Sequence, residues 1–184
     1  MAFDAFTGSV QVAVQYNAQK NAPSSSLNLS PTVNSGTVQR KASYTLGGNT
    51  AGAMNEVATN IVSITSGGSF TIDLTNLTDV LGYTGVTLVR LKEFLFWLLS
   101  TTDDTVNGTA CTSVSIGGAA ANPNQLDLGS TTATRILLNG DATVYATKSA
   151  AGLTVSTTAK SITITNLDGA HAAGVLYHLG GATV

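Results

Sequence analysis

Apolar and polar residues alternate along much of this chain. In Ser9–Tyr16, Val10, Val12, Val14 and Tyr16 fall on one face, with Gln11, Ala13 and Gln15 on the other. That period of two marks a half-buried β-strand. Val38, Arg40, Ala42 and Tyr44, opposed to Gln39, Lys41, Ser43 and Thr45, repeat it after a loop rich in Ser, Asn and Pro. The stretch "IVSITSGGSFTIDL" (61–74) places two β-branched runs about Ser66-Gly67-Gly68 and carries the clearest hairpin signal. "ATRILLNGDATVYAT" (133–147) reads as strand, Asn-Gly turn, strand, and "LTVS", "SITITN" and "VLYHLG" predict three more strands before the C-terminus.

Two segments break the rhythm. Leu74, Leu77 and Leu81 recur at near-helical spacing ahead of Gly82, which predicts one or two helical turns over 74–81, the one helix expected. "LVRLKEFLFWLL" (88–99) is the most apolar run. A membrane-spanning helix needs about 20 apolar residues, and this run is shorter and holds Arg90, Lys92 and Glu93. Its β-branched approach, aromatics and flanking turns predict a strand, with Leu88, Arg90, Lys92, Phe94, Phe96 and Leu98 on one side and Val89, Leu91, Glu93, Leu95 and Trp97 on the other. Roughly nine short strands separated by turn signals predict an all-β fold, an antiparallel sandwich or jelly roll. Residues 1–8 are read as an N-terminal arm and 9–184 as a single sandwich domain.

Composition supports the β reading. Charged residues are 10% of the 184, against roughly 25% in ordinary soluble domains. Glutamate occurs only at 56 and 93, and the residues of exposed helix faces are scarce. Eight Lys and Arg and a net charge of −2 make no basic patch for nucleic acid. So little charge also gives weak protection against association, which suits a surface occupied by neighbours. Cys111 is the single cysteine, so neither an intrachain disulfide nor a cysteine metal cluster is possible. "MAFDAFTGSV" has an early aspartate and neither a basic nor a continuous apolar region, so no signal peptide is expected.

Candidate chemistry is sparse. His171 and His178, with Asp168 nearby, invite a metal site, but positions seven apart on a strand point to opposite faces. Asp103, Asp104 and Asn107 lie in a polar loop without the spacing of a calcium loop. Glu56 and Glu93 could form a carboxylate pair, yet nothing in the sequence fixes their separation. No nucleophile elbow, phosphate loop, dinucleotide fingerprint or zinc-protease motif is present. No catalytic residue, cofactor or metal is expected, and the chain is read as non-enzymatic.

The second half of the chain resembles a group of small β-sandwich virion structural proteins of tailed bacteriophages and prophages. The resemblance rests on "FTIDLTNLTDVLGYTGVTLVRLKEFLF", "VSIGGAAANP" and "RILLNGDATVYATKSAAGLTVSTTAKSITITNLDGAHAAGVLYHLGG". Asp73-Leu74, Leu77, Asp79, Leu81-Gly82, Lys92, Gly117-Gly118, Ile164, Asn166 and Gly180 fall where that group's pattern has them. The chain departs from it at "LLNGD" and "FWLLS". The resemblance implies a subunit on the virion, head decoration, spike or tail-associated, made in the host cytoplasm and carrying no chemistry. The expected partners are copies of itself, as a homotrimer, and other virion proteins such as the major capsid protein, with neither nucleic acid nor membrane. Phe3 and Phe6 in the arm, and Trp97, are the expected subunit or shell contacts. A receptor-binding tail subunit, a shell-forming capsid protein and a bacterial carbohydrate-binding or adhesin module are the alternatives.

Overall fold

The alternating segments form strands in the computed structural model, which describes residues 7–20, 32–46, 53–79, 82–100, 110–118, 121–147 and 149–183. Fourteen strands run through these residues: β1 (Thr7–Lys20), β2 (Thr32–Leu46), β3 (Ala53–Met54), β4 (Glu56–Ile64), β5 (Ser69–Asp73), β6 (Leu77–Thr78), β7 (Thr84–Val86), β8 (Arg90–Leu98), β9 (Ser113–Gly117), β10 (Thr134–Leu138), β11 (Ala142–Ala146), β12 (Leu153–Thr154), β13 (Ser161–Asn166) and β14 (Ala173–Ala182). The fold is all-β, as the alternation predicts.

β1 and β2 pair antiparallel from Thr7 opposite Thr45 to Lys20 opposite Thr32, and β3 joins parallel to β2. The expected arm thus overlaps β1 at Thr7 and Gly8, while Phe3 and Phe6 lie outside the described residues.

Two antiparallel sheets enclose the core. One has the order β11-β8-β14-β4, with β12 also pairing to β8, and the other β10-β9-β13-β5. Phe94, Phe96 and Leu98 of β8, Val175 and Leu179 of β14, and Val62 and Ile64 of β4 join Val114, Ile116, Ile162, Ile164, Ile72 and Leu137 of the other sheet in a single buried cluster. Each such side chain contributes about 1.5–3 kcal/mol on burial. Phe94 stacks on Tyr145 with ring centroids 5.3 Å apart.

The strand orders carry a regularity. β4 and β5, β13 and β14, β8 and β9, and β10 and β11 are neighbours in sequence, yet each pair divides between the two sheets at matching positions. The hairpin expected at Ser66-Gly67-Gly68 is therefore a cross-sheet arch. The turn itself forms, with Gly67 at φ +65° and Gly68 N–H donating to Thr65 C=O at 2.9 Å. β4 then pairs with β14, and β5 with β13. The arch is held from outside: Asn166 Nδ2 donates to the carbonyls of Ile64 and Thr65, and Gly67 N–H donates to Asp168 C=O. Glycine turn chemistry specifies the reversal but not the sheet in which the next strand lands.

The helix expected over 74–81 is absent from its described residues, 74–79. The Asp73 carboxylate accepts from the Thr75 N–H at 2.8 Å and the Thr75 hydroxyl at 2.6 Å, forming a local side-chain turn in competition with a helix. Leu77 and Thr78 then pair with Val86 and Thr84 across a turn closed by Gly82 N–H donating to Asp79 C=O. Leu74, in the turn after β5, and Leu77, in β6, both enter the core without a helix.

Candidate functional site

Strand alternation sends one set of side chains from β11-β8-β14-β4 into the core and the other to the outer face. Register orders the outer set into three rows. The first is Ile61–Leu176–Trp97–Ala142, the second Thr59–His178–Leu95–Val144, and the third Val57–Gly180–Glu93–Ala146. Trp97, an expected contact residue, is half-buried there and its indole Nε1 donates to Gly140 C=O at 3.2 Å. The other sheet's outer face is a hydroxyl ladder, with Ser69 and Thr165 3.0 Å apart and Thr71 and Thr163 3.3 Å apart. It ends on β10, where Ile136 and Leu138 are each 59% exposed.

A hydrogen-bond chain crosses three strands on the apolar face. Thr59 Oγ1 lies 2.8 Å from His178 Nδ1, and His178 Nε2 lies 2.9 Å from Glu93 Oε1. Only 2% of the Glu93 side chain is exposed, against 29% of His178. With Glu93 Oε1 accepting from Nε2–H, Nδ1 is left as the acceptor for the Thr59 hydroxyl. Among the described residues, Glu93 Oε2 has no hydrogen-bond partner. The sequence gives no signal for this grouping, because its members are 85 and 119 positions apart and depend on register.

His171 is placed elsewhere and does not meet His178. Its Nδ1 lies 3.3 Å from Asp168 Oδ2, in the arch between β13 and β14. Asp168 also accepts from the backbone N–H groups of Ala170, Thr112 and His171. Those bonds, led by Ala170, hold its carboxyl well below the usual carboxylate range against the opposing effect of burial. Asn166 anchors the same end of the sandwich. Its Nδ2 donates to Ile64, Thr65 and His171 carbonyls, and its Oδ1 accepts from Asp168 N–H and the Cys111 thiol. Burial raises the Cys111 pKa, leaving a structural thiol.

Glu56 and Glu93 belong to separate environments. Glu56 is buried, its Oε2 has no hydrogen-bond partner among the described residues, and it packs with Asp79 against Val57, Leu77, Val86 and Leu88. Burial and the Asp79 charge both raise its pKa. Lys92 is wholly buried and donates to Ala53 C=O at 2.5 Å; burial lowers its pKa. Asp103, Asp104 and Asn107 lie outside the described residues. Among the described residues, no group of three His, Cys, Asp or Glu is placed to hold a metal ion, and no helix is long and apolar enough to cross a membrane.

A groove of about 230 Å³ opens along the free edges of β4 and β5, lined in part by Asn60, Phe70, Asp73, Asn76 and Tyr177. Phe70 and Tyr177 stack there with centroids 6.4 Å apart. No protein family, curated protein or solved structure matches this chain.

Proposed function

We propose that this chain is a structural subunit of a bacteriophage particle, an accessory or decorating protein of the capsid surface that assembles with copies of itself, as a trimer, and with the shell protein. The observation that supports this most is the outer face of β11-β8-β14-β4. Ile61, Leu95, Trp97, Val144 and Leu176 line it, and its carboxylate, Glu93, is buried. An apolar, weakly charged sheet face of this kind suits a protein–protein contact, in keeping with the resemblance to virion β-sandwich proteins and the low charge of the chain. The test is light scattering of the purified chain beside mass spectrometry of purified particles. A trimer that dissociates on Trp97→Ser/Leu176→Ser, and a peptide signature in particles, are the expected results. A stable monomer at micromolar concentration, absent from particles, overturns the reading.

The β4/β5 groove favours a second reading, a tail- or spike-associated subunit that binds a carbohydrate receptor. Aromatic faces beside amide and carboxylate groups suit sugar C–H and hydroxyl groups respectively. Glycan-array binding lost on Tyr177→Ala would separate this reading from the first.

A further inference from the structure

The Thr59–His178–Glu93 chain has the parts of an activated nucleophile: a hydroxyl, a base within hydrogen-bond reach, and a buried acid fixing the base. Thr59 is exposed, so a reagent can reach its oxygen. Its backbone adds a fourth part. Leu99 N–H donates to Gly174 C=O, which assigns the even positions of β14 to β8 and leaves its odd positions to bond the even positions of β4. Ile61 N–H accordingly turns to its neighbour's side chain, Asn60 Oδ1. Thr59 has the same parity, so its N–H points away from β14, to the edge that no described strand covers, beside its own hydroxyl. An unpaired amide next to a nucleophilic oxygen can stabilise the oxyanion of an acyl-transfer intermediate.

We propose that Thr59 is an acyl-acceptor site, a threonine hydroxyl activated by His178 and modified by activated esters. Thr59 Oγ1 attacks the ester carbonyl carbon and its proton passes to His178 Nδ1. The Oγ1–C bond forms, the bond to the leaving oxygen breaks, and the imidazolium passes its proton to that oxygen, or to solvent when a phenolate departs, giving a threonine ester and the free alcohol or phenol. Glu93 is a positioning residue: it holds the imidazole with Nδ1 toward Thr59 and stabilises the imidazolium. Of the groups facing His178 from the flanking strands, Thr59 and Leu95 are neutral and Glu93 is its charged hydrogen-bond partner. Thr59 ends the row that also holds Leu95 and Val144 of the proposed contact face. The acylation is therefore a reaction of the chain before that face is covered, and labelling of Thr59 in the unassembled Trp97→Ser/Leu176→Ser variant separates it from the assembly reading.

The test is incubation of the full chain with p-nitrophenyl acetate, followed by peptide mass spectrometry and the pH dependence of p-nitrophenolate release. One acetyl group on Thr59 is expected. Thr59→Ser retains it and Thr59→Val, a strand-compatible change at an exposed position, removes it. His178→Asn slows acylation at least ~10-fold. Glu93→Gln moves the midpoint of the pH–rate profile to lower pH, because the imidazolium loses its counter-charge; a purely structural role for Glu93 would leave that midpoint in place. Acetylation no greater at Thr59 than in Thr59→Val, or a Thr59 rate indifferent to both His178→Asn and pH, overturns the proposal.

Discussion

Gly180 lies against the side chain of Glu93: a Cβ at position 180 would stand 2.6 Å from both Cγ and Oε1 of Glu93. The Glu93 side chain is buried and bonded to His178, so it cannot swing aside without breaking that contact. Gly180→Ala is expected to destabilise the fold by about 1–3 kcal/mol, the usual range for overpacking. Denaturant unfolding of Gly180→Ala, Glu93→Ala and the double variant checks the cause. A coupling energy of at least ~0.5 kcal/mol is expected for groups in contact; additive effects would show that the clash is relieved elsewhere.

Asn166 supplies three donor contacts and two acceptor contacts from a nearly fully buried position. Asn166→Ala strands several of these groups, each worth about 1–3 kcal/mol when buried and unpaired. A loss of about 3 kcal/mol or more is expected in equilibrium unfolding. Hydrogen exchange should accelerate at Gly67 and Asp168 before it does in the central strands.

Glu56 gives the fold a pH dependence of known sign. Its pKa is raised above the ordinary 4.5 by burial and then by Asp79, so the fold favours the protonated form. Its contribution is complete below the ordinary value and is lost as pH rises through the raised folded value. Glu56→Gln removes the buried charge, so Tm at pH 7 should rise and the decline from pH 5 to pH 7 should flatten. A lower Tm for the glutamine variant at pH 7 would contradict this.

Asp168 works in the opposite sense. Its pKa is depressed by the N–H groups of Ala170, Thr112 and His171, so its contribution is present above the ordinary 3.8 and is lost as pH falls toward the folded value. Asp168→Asn should lower Tm at pH 6 and reduce the acid-induced fall measured between pH 5 and pH 2. An unchanged acid limb would assign that limb to other carboxylates.

Individual strands were legible in the sequence because period-two alternation reports burial directly. In β8, Phe94, Phe96 and Leu98 are core residues while Leu95 and Trp97 are half-buried on the other face, as the pattern requires. Pairing was less legible. Ser66-Gly67-Gly68 announces a turn, but a hairpin and an arch demand the same positive-φ glycine, and the difference lies in partners about a hundred positions away: β13, β14 and the Asn166 amide on the turn. The leucines at 74 and 77 suit a helix until the Asp73 carboxylate takes the Thr75 N–H. The outward phase of Glu93 and Trp97 could be read within their strand. The meeting of Glu93 with His178 and Thr59 could not, since in so threonine-rich a chain nothing distinguishes Thr59 before register is known.

The cross-sheet arches have a consequence for biosynthesis. β4 finds its ladder partner in β14, with Ile64 opposite Ala173, and β8 pairs with the same strand on its other edge. β14 is therefore the central seam of its sheet and the last strand of the described chain to leave the ribosome. Until Ala173–Ala182 emerges, β4 lacks its ladder partner and β8 is paired on one edge only, with β11 and β12. Long-range pairing of this kind is slow and exposed to aggregation. The core accordingly closes late, once translation has passed β14, and a nascent chain stalled upstream would be a client for chaperones rather than a partly finished sandwich.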